Sequence, residues 1–232
     1  DVGINPKQIS PSFRATVRDV LEDMPQVRSG LSKQADSYAS WREIIVTSLS
    51  PETIGELPER VQRFIQVLLS EKPSHLDRGK PFTKSQSLIA KGLPALSQWL
   101  YDERLGGVIQ HETRGHMNSD LGRYLFVSAM GKIMSSSPKL DDWPVCLLPS
   151  HKNVYDGDKS KIRDFKDRFK VQLFDQPAST ITAHISKDGH YFIHPDPRQC
   201  RSLTVREAAR IQTFPDNYFF WGNRTQRYQQ VG

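Results

Sequence analysis

The sequence predicts an α+β fold, a small mixed domain of helices with one β-hairpin, and a few local patterns carry that expectation. Between residues 58 and 69, Val61, Phe64, Ile65, Leu68 and Leu69 recur at the i, i+3, i+4, i+7 spacing of a helix with one buried face. Around Asp188-Gly189, the β-rich runs 179–185 and 191–194 flank a dipeptide suited to a tight turn, which predicts a hairpin over 179–194. Near the C-terminus, Thr204 and Glu207 stand in capping-box register at the start of a helix over 204–214 that Pro215 closes.

In chain order, Thr16 with Asp19 forms a weaker cap for a short helix that ends before Pro25. After the 58–69 helix, another is expected near 96–105, carrying Trp99 and Leu100 and ending at Gly106-Gly107. A third spans 120–130 with Asp120 as its cap. Arg114, His116 and Arg123 gather near its start, either as a solvated edge or as a place for a phosphate. Residues 134–160 read as loop from their Ser, Pro and Asp-Gly content.

The run 159–170 interleaves basic residues with Phe165 and Phe169 on one helical face. The phenylalanines would pack, leaving the charges to solvent or to a DNA backbone. In the hairpin, Thr180, Thr182 and His184 would share one face and Ile181, Ala183 and Ile185 the other. In the last helix, Ala208, Ile211 and Gln212 form a thin stripe while Arg206 and Arg210 lie elsewhere, so the pattern alone predicts a surface helix with solvated arginines.

At 232 residues the chain can hold one large or two small domains. No apolar run approaches the roughly 20 residues that cross a bilayer, and the first residues lack the basic and apolar regions of a secretion signal. A soluble, unexported protein with no membrane contact is expected. Cys146 and Cys200 are the only cysteines, which excludes a disulfide framework or a four-cysteine zinc site. His184, His190, His194 and Cys200 follow no familiar zinc spacing, so no metal site is expected. The net charge is +6, with 14 Lys/Arg against 9 Asp/Glu in residues 151–232. That surplus suggests a polyanionic partner, though ordinary soluble proteins also reach it.

The run Arg201-Ser-Leu-Thr-Val-Arg-Glu-Ala-Ala-Arg-Ile-Gln-Thr-Phe-Pro-Asp216 resembles the ninth conserved motif of the DNA cytosine-5 methyltransferases. Tyr228-Gln-Gln-Val-Gly232 resembles the opening of the tenth, in the right order and at a matching distance. Residues 15–30 are similar to a segment that, in many bacterial members, opens the target-recognition region. The resemblance implies a target-recognition domain over 1–200, with a helical region about 50–130 and the hairpin at 179–194. It also implies a hinge helix and return segment over 201–232, leading toward an α/β, Rossmann-like catalytic domain that is absent from this sequence.

By the same resemblance, Thr180 and Ile181 match a Thr-Ile pair whose threonine touches the phosphate beside a flipped base. His184, Ser186, Lys187 and Asp188 fall where the family reads sequence; Lys can bond guanine O6 or N7, and Asp can accept from cytosine N4. Arg201, Thr204, Arg206 and Glu207 would keep the recognition region in register with the catalytic domain, while Gln230 and Gly232 would approach S-adenosylmethionine. Double-stranded DNA and the N-terminal catalytic domain are the implied partners, in the cytoplasm and at the nucleoid of a bacterium.

Cytosine-5 methylation needs a cysteine thiolate to attack the extruded base, an acid to steady the ring and a bound methyl donor. The family's Phe-x-Gly-x-Gly, Pro-Cys and Glu-Asn-Val signatures do not occur here, and Cys146 and Cys200 lie in other contexts. No catalytic residue is therefore expected in this chain. The resemblance implies the C-terminal portion of a larger methyltransferase, with restriction-modification as one setting and S-adenosylmethionine bound mainly outside the chain. Two alternatives stay open: a free-standing non-catalytic DNA-binding module, and an unrelated basic protein-interaction domain.

Overall fold

The computed structural model describes residues 14–71, 75–85, 94–149 and 168–232. Helices α1 (Val17–Leu21), α2 (Tyr38–Thr47), α3 (Pro51–Gly55), α4 (Glu59–Ser70), α5 (Pro94–Leu100), α6 (Asn118–Met134), α7 (Val205–Ile211) and α8 (Arg224–Val231) alternate with short strands. Strand β1 (Gly30–Leu31) runs parallel to β4 (Gly115–His116), and β2 (Phe82–Lys84) runs antiparallel to β3 (Gly107–Ile109). The fold is α+β, as expected, with strand pairs that stay local.

The helical core gathers α2, α4 and α6. In α4, Val61, Ile65 and Leu68 are buried, with Phe64 and Leu69 packed beside them, as the spacing requires. Helix α6 is buried nearly all round, from Leu121 through Val127, so it forms the centre of this core rather than its skin. Trp143 meets Phe126 edge-on at 5.2 Å between ring centres, and Phe169 lies 5.2 Å from Trp143. A second core surrounds α7, drawing Val17, Val20 and Leu21 from α1, Leu100, Val108, Ile181, Ile185, Phe192, Leu203, Phe220, Tyr228 and Val231.

Several expectations need adjustment. Asp120 is not the cap of α6; Met117 holds that position without a side-chain bond, and Asp120 sits in the first turn, paired with Arg123 at 2.9 Å. An acid there suits the positive end of the helix. The 96–105 helix stops at Leu100, and a 3-10 turn over Glu103–Leu105, capped by Asp102, carries the chain to Gly106 in the left-handed region. The basic run 159–170 lies outside the described residues except for its last three, of which Phe169 is buried in the helical core.

The hairpin over 179–194 does not form. The 190–194 segment has both edges occupied already: Ile193 donates to the Lys170 carbonyl and accepts from Gln172, while His194 and Leu203 bond across to Arg201 and Phe192. No free edge remains for 179–185. That stretch instead winds into a 3-10 turn over Ala183–Ser186, which brings Ile181 and Ile185 into the α7 core and leaves Thr180, Thr182 and His184 exposed. The Asp-Gly pair still turns the chain, with Asp188 Oδ1 accepting from the His190 N–H at 3.0 Å and Gly189 at φ +77°.

Ile65→Ala should lower the free energy of unfolding by about 2–5 kcal/mol. Val67→Ala, at a site 59% exposed on the same helix, should change it by less than about 0.5 kcal/mol. Urea-unfolding midpoints of the two variants check both values.

Candidate functional site

Helix α7 begins with the capping box its sequence spells: Glu207 N–H donates to Thr204 Oγ1 at 3.2 Å, and Glu207 Oε2 accepts from Thr204 N–H at 2.8 Å. It is no surface helix. Every residue from Val205 to Arg210 is buried. Arg201 reaches over the cap and bonds Glu207 through both terminal nitrogens, Nη1 to Oε2 and Nη2 to Oε1, each at 2.6 Å. Its Nε donates to the Val27 carbonyl at 2.8 Å and to Gln199 Oε1 at 3.0 Å. Burial alone would raise the Glu207 carboxyl, but Arg201 outweighs it, so the group lies well below the ordinary carboxylate range.

Two histidines complete this frame in their neutral form. His194 Nδ1 accepts from the Asp196 N–H, so its proton sits on Nε2, which faces Glu207 Oε1 at 3.5 Å. His111 lies between Thr204 Oγ1 at 3.0 Å and the Pro25 carbonyl at 2.7 Å. A carbonyl can only accept, so Nε2 carries the proton and Thr204 donates to Nδ1. Burial pushes both rings below their usual values, with nearby Arg201 adding to the effect and Glu207 opposing it.

The other α7 arginines are also internal. Arg210 holds Asp216 through two bonds, at 2.8 and 2.7 Å, Asp23 just beyond α1 at 2.6 Å, and the Val20 carbonyl of α1 at 3.0 Å, which joins α7 to α1. Among the described residues Arg206 pairs with no carboxylate; it donates to the carbonyls of Ile109, Pro215 and Tyr218 at 3.2, 3.1 and 2.6 Å. Burial lowers it to about 10, with Asp216 opposing and Arg210 reinforcing, so it stays charged at neutral pH. The expected solvated arginines are thus struts across the core.

On this frame rests the loop 180–188. Gln212, at the end of α7, donates to the carbonyls of Ile181 and Val231 at 3.1 and 3.3 Å, joining the loop to α8. Tyr228 of α8 donates to the Leu203 carbonyl at 2.7 Å. Thr180, His184 and Lys187 are exposed, Ser186 and Asp188 are half-buried and Ile181 is buried. Asp188 is engaged with His190 N–H and lies 3.8 Å from Arg168. Gly232 abuts the Thr182 backbone so closely that a Cβ would have no space. The Gln230 amide folds back on the carbonyls of Trp221 and Gln226 at 2.7 and 3.1 Å.

The Arg114, His116 and Arg123 cluster is neither a solvated edge nor an open phosphate cradle. Arg123 donates to the Leu147 and Leu148 carbonyls at 2.8 and 3.2 Å, and the buried His116 ring sits edge-on to Tyr124. Arg114 donates to the Ile185 carbonyl at 2.7 Å, with its guanidinium 4.3 Å from the centre of the Tyr228 ring. His111 and Gln199 are framing residues that sequence reasoning missed, and Arg114 is one it singled out for a different role. Their partners lie far away in the chain, as with His111 and Thr204, 93 positions apart, and no local spacing marks such pairs. The four side chains weighed for zinc have separate environments: His184 stacks edge-on with Tyr191, His190 bonds Tyr124, His194 faces Glu207, and Cys200 Sγ points to the Pro197 carbonyl.

Glu207→Gln should cost about 3–5 kcal/mol, because it leaves the Arg201 charge buried without its partner. The neutral histidines give a pH dependence of defined sign. In the unfolded chain they take protons near pH ~6.5, whereas the folded protein resists protonation to lower pH. The unfolded state binds more protons in that window, so stability falls as pH drops below about 6.5, and Glu207 adds a further loss below about 4.3. The urea midpoint should be lower at pH 5 than at pH 7.5, and His194→Gln should shrink the difference; equal midpoints for the native chain would rule out neutral burial.

Residues 107–232 match the family described as C-5 cytosine-specific DNA methylase. Type II methyltransferase M.Bpa9945I of Bacillus paralicheniformis is 60% identical over 85 residues, covering 37% of this chain and 18% of that protein. Type II methyltransferase M.AgeI of Thalassovita gelatinovora is 38% identical over 68 residues, 29% of this chain and 15% of its own length. DNA (cytosine-5)-methyltransferase 1 of Mus musculus is 26% identical over 240 residues, 96% of this chain and 14% of that protein. The chain spans less than a fifth of each of these relatives.

Proposed function

The chain belongs to the C-5 cytosine-specific DNA methylase family, and from that membership we propose that it is the C-terminal target-recognition portion of a DNA cytosine-5 methyltransferase. The whole protein would transfer a methyl group from S-adenosylmethionine to C5 of a cytosine flipped out of a specific duplex sequence. This chain would bind and position the DNA, and a catalytic domain elsewhere in the protein would supply the nucleophilic cysteine. The relatives named as type II methyltransferases favour a restriction-modification setting, and a cytoplasmic site of action goes with it. Family membership removes the reading as an unrelated protein-interaction domain.

The observation that carries this reading is a short polar loop with exposed Thr180, His184 and Lys187, held on a buried frame of ion pairs and hydrogen bonds. Such a loop can present side chains to a groove without first losing much disorder. We assign Thr180 to a backbone phosphate and His184 and Lys187 to base edges, with lysine suited to guanine O6 or N7. Asp188 shapes the turn through His190, half-buried Ser186 closes the 3-10 turn, and buried Ile181 anchors the loop in the α7 core. Arg201, Thr204, Arg206 and Glu207 set the loop's position through the frame rather than by touching DNA.

S-adenosylmethionine fits this chain poorly by itself. Gln230 spends its amide on neighbouring carbonyls, and Gly232 is pressed against Thr182. Cys200 is buried, with its thiol pushed upward by that burial, so it lacks the thiolate character of a nucleophile. On this reading the donor and the covalent chemistry belong to the remainder of the protein.

Duplex binding by the protein across a salt series tests the reading. Thr180→Ala should weaken binding to every sequence alike, whereas Lys187→Ala should cost about 1–3 kcal/mol on the target and relax its preference. Retention of full affinity and preference by both variants would remove the loop from recognition. The 232-residue chain alone should incorporate no labelled methyl into DNA.

A further inference from the structure

A cavity of about 400 Å³ opens beside the first turn of α8, lined by Arg78, Gln110, Glu112, Thr113, Arg224 and Arg227 among others. Three arginines and one glutamate are among its lining residues. Arg78 is only partly neutralised: it lies 3.6 Å from Asp36, which also pairs with Arg28 at 2.7 Å, and its Nη2 donates to the Thr113 carbonyl at 3.0 Å. Arg227 uses Nε on the Gly222 carbonyl at 2.8 Å, leaving its terminal nitrogens available. Arg224, an exposed residue whose guanidinium is partly covered, has no hydrogen bond or ion pair among the described residues; that partial covering, with Arg114 and Arg78, lowers its affinity for its own proton, opposed by Tyr228 and Glu112. Like charges gathered around an open cavity, with unspent planar donors, favour a tetrahedral anion.

We propose that this cavity is a phosphate site whose occupant is a DNA backbone phosphate, separate from the one assigned to Thr180. The inference rests on the target-recognition reading and extends it to a second contact. At about 30 Å³ per water, the cavity has room for a phosphate group with several waters. Its position relative to the loop is fixed by two links. Arg114 bonds the Ile185 carbonyl while stacking on Tyr228 of α8, and Gly232 at the far end of α8 abuts Thr182. An eight-residue helix spans about 12 Å, and one DNA strand advances about 3.4 Å per nucleotide. That separation matches the advance of one strand over a few nucleotides. Arg224 and Arg227 would set affinity and register, leaving sequence choice to the loop.

The test uses fluorescent duplex DNA with the protein across a salt series, and inorganic phosphate as a separate ligand in calorimetry. Arg224→Ala/Arg227→Ala should reduce the slope of log K against log[salt] by about 1, the contribution of one phosphate, and weaken binding to all sequences alike. Arg63→Ala, on an exposed face of α4 in the other core, should leave the slope unchanged. Arg224→Gln alone, at an exposed position, should show a loss of about 1 in slope and serves if the double variant unfolds. Native binding with an unaltered slope in these variants would overturn the site and spare the function reading. Loss of phosphate binding without a slope change would make it a free-phosphate site, which also overturns the proposal. If the native protein binds no duplex, the recognition reading fails and this site falls with it.

Discussion

The bidentate pair between Arg201 and Glu207 is the interaction on which the second half of the structure depends. Both side chains are essentially excluded from water, so each charge needs a full set of partners. Glu207 takes two bonds from Arg201 and one from the Thr204 backbone, with His194 alongside. Arg201 spends its remaining donors on Val27, Gln199 and Ser202. A buried pair of this kind adds little net stability over a well-packed apolar replacement, yet it tolerates no missing partner. Segments around residues 27, 194–204 and 207 must therefore meet in one arrangement.

From that arrangement the position of the 180–188 loop follows. Helix α7 cannot shift without breaking its ties to α1 through Arg210 and to the 215–220 segment through Arg206. Gln212 and the α8 helix then hold the loop from beneath. Rigidity is concentrated under the loop, while its exposed side chains stay available. This division suits recognition, where a fixed scaffold reduces the entropy lost on binding and a few outward groups supply specificity.

The α7 capping box and the α1 capping box were legible because each is closed within three residues of its cap. The α4 stripe was legible for a similar reason, since helical periodicity is a property of adjacent turns. The hairpin misled because β-propensity and an Asp-Gly turn specify a bend and an extended preference, not a partner. Residues 170–172 and 201–203 occupy both edges of the 190–194 segment. The arginines misled because a charged residue on a sparse stripe reads as solvated, while Arg210 finds the Val20 carbonyl 190 positions away.

By itself the sequence determined the α4 stripe, the capping boxes of α1 and α7 and the family motifs at 201–216 and 228–232, since these are written in short-range spacing. Tertiary structure decided what those elements are for. It turned a helix with surface-like patterning into the core of the molecule, replaced a hairpin by a turn with exposed polar side chains, and brought Arg78, Arg224 and Arg227 to one cavity. The physical reason is that burial of charge and pairing of strand edges depend on groups distant in the chain, whose meeting no local pattern records.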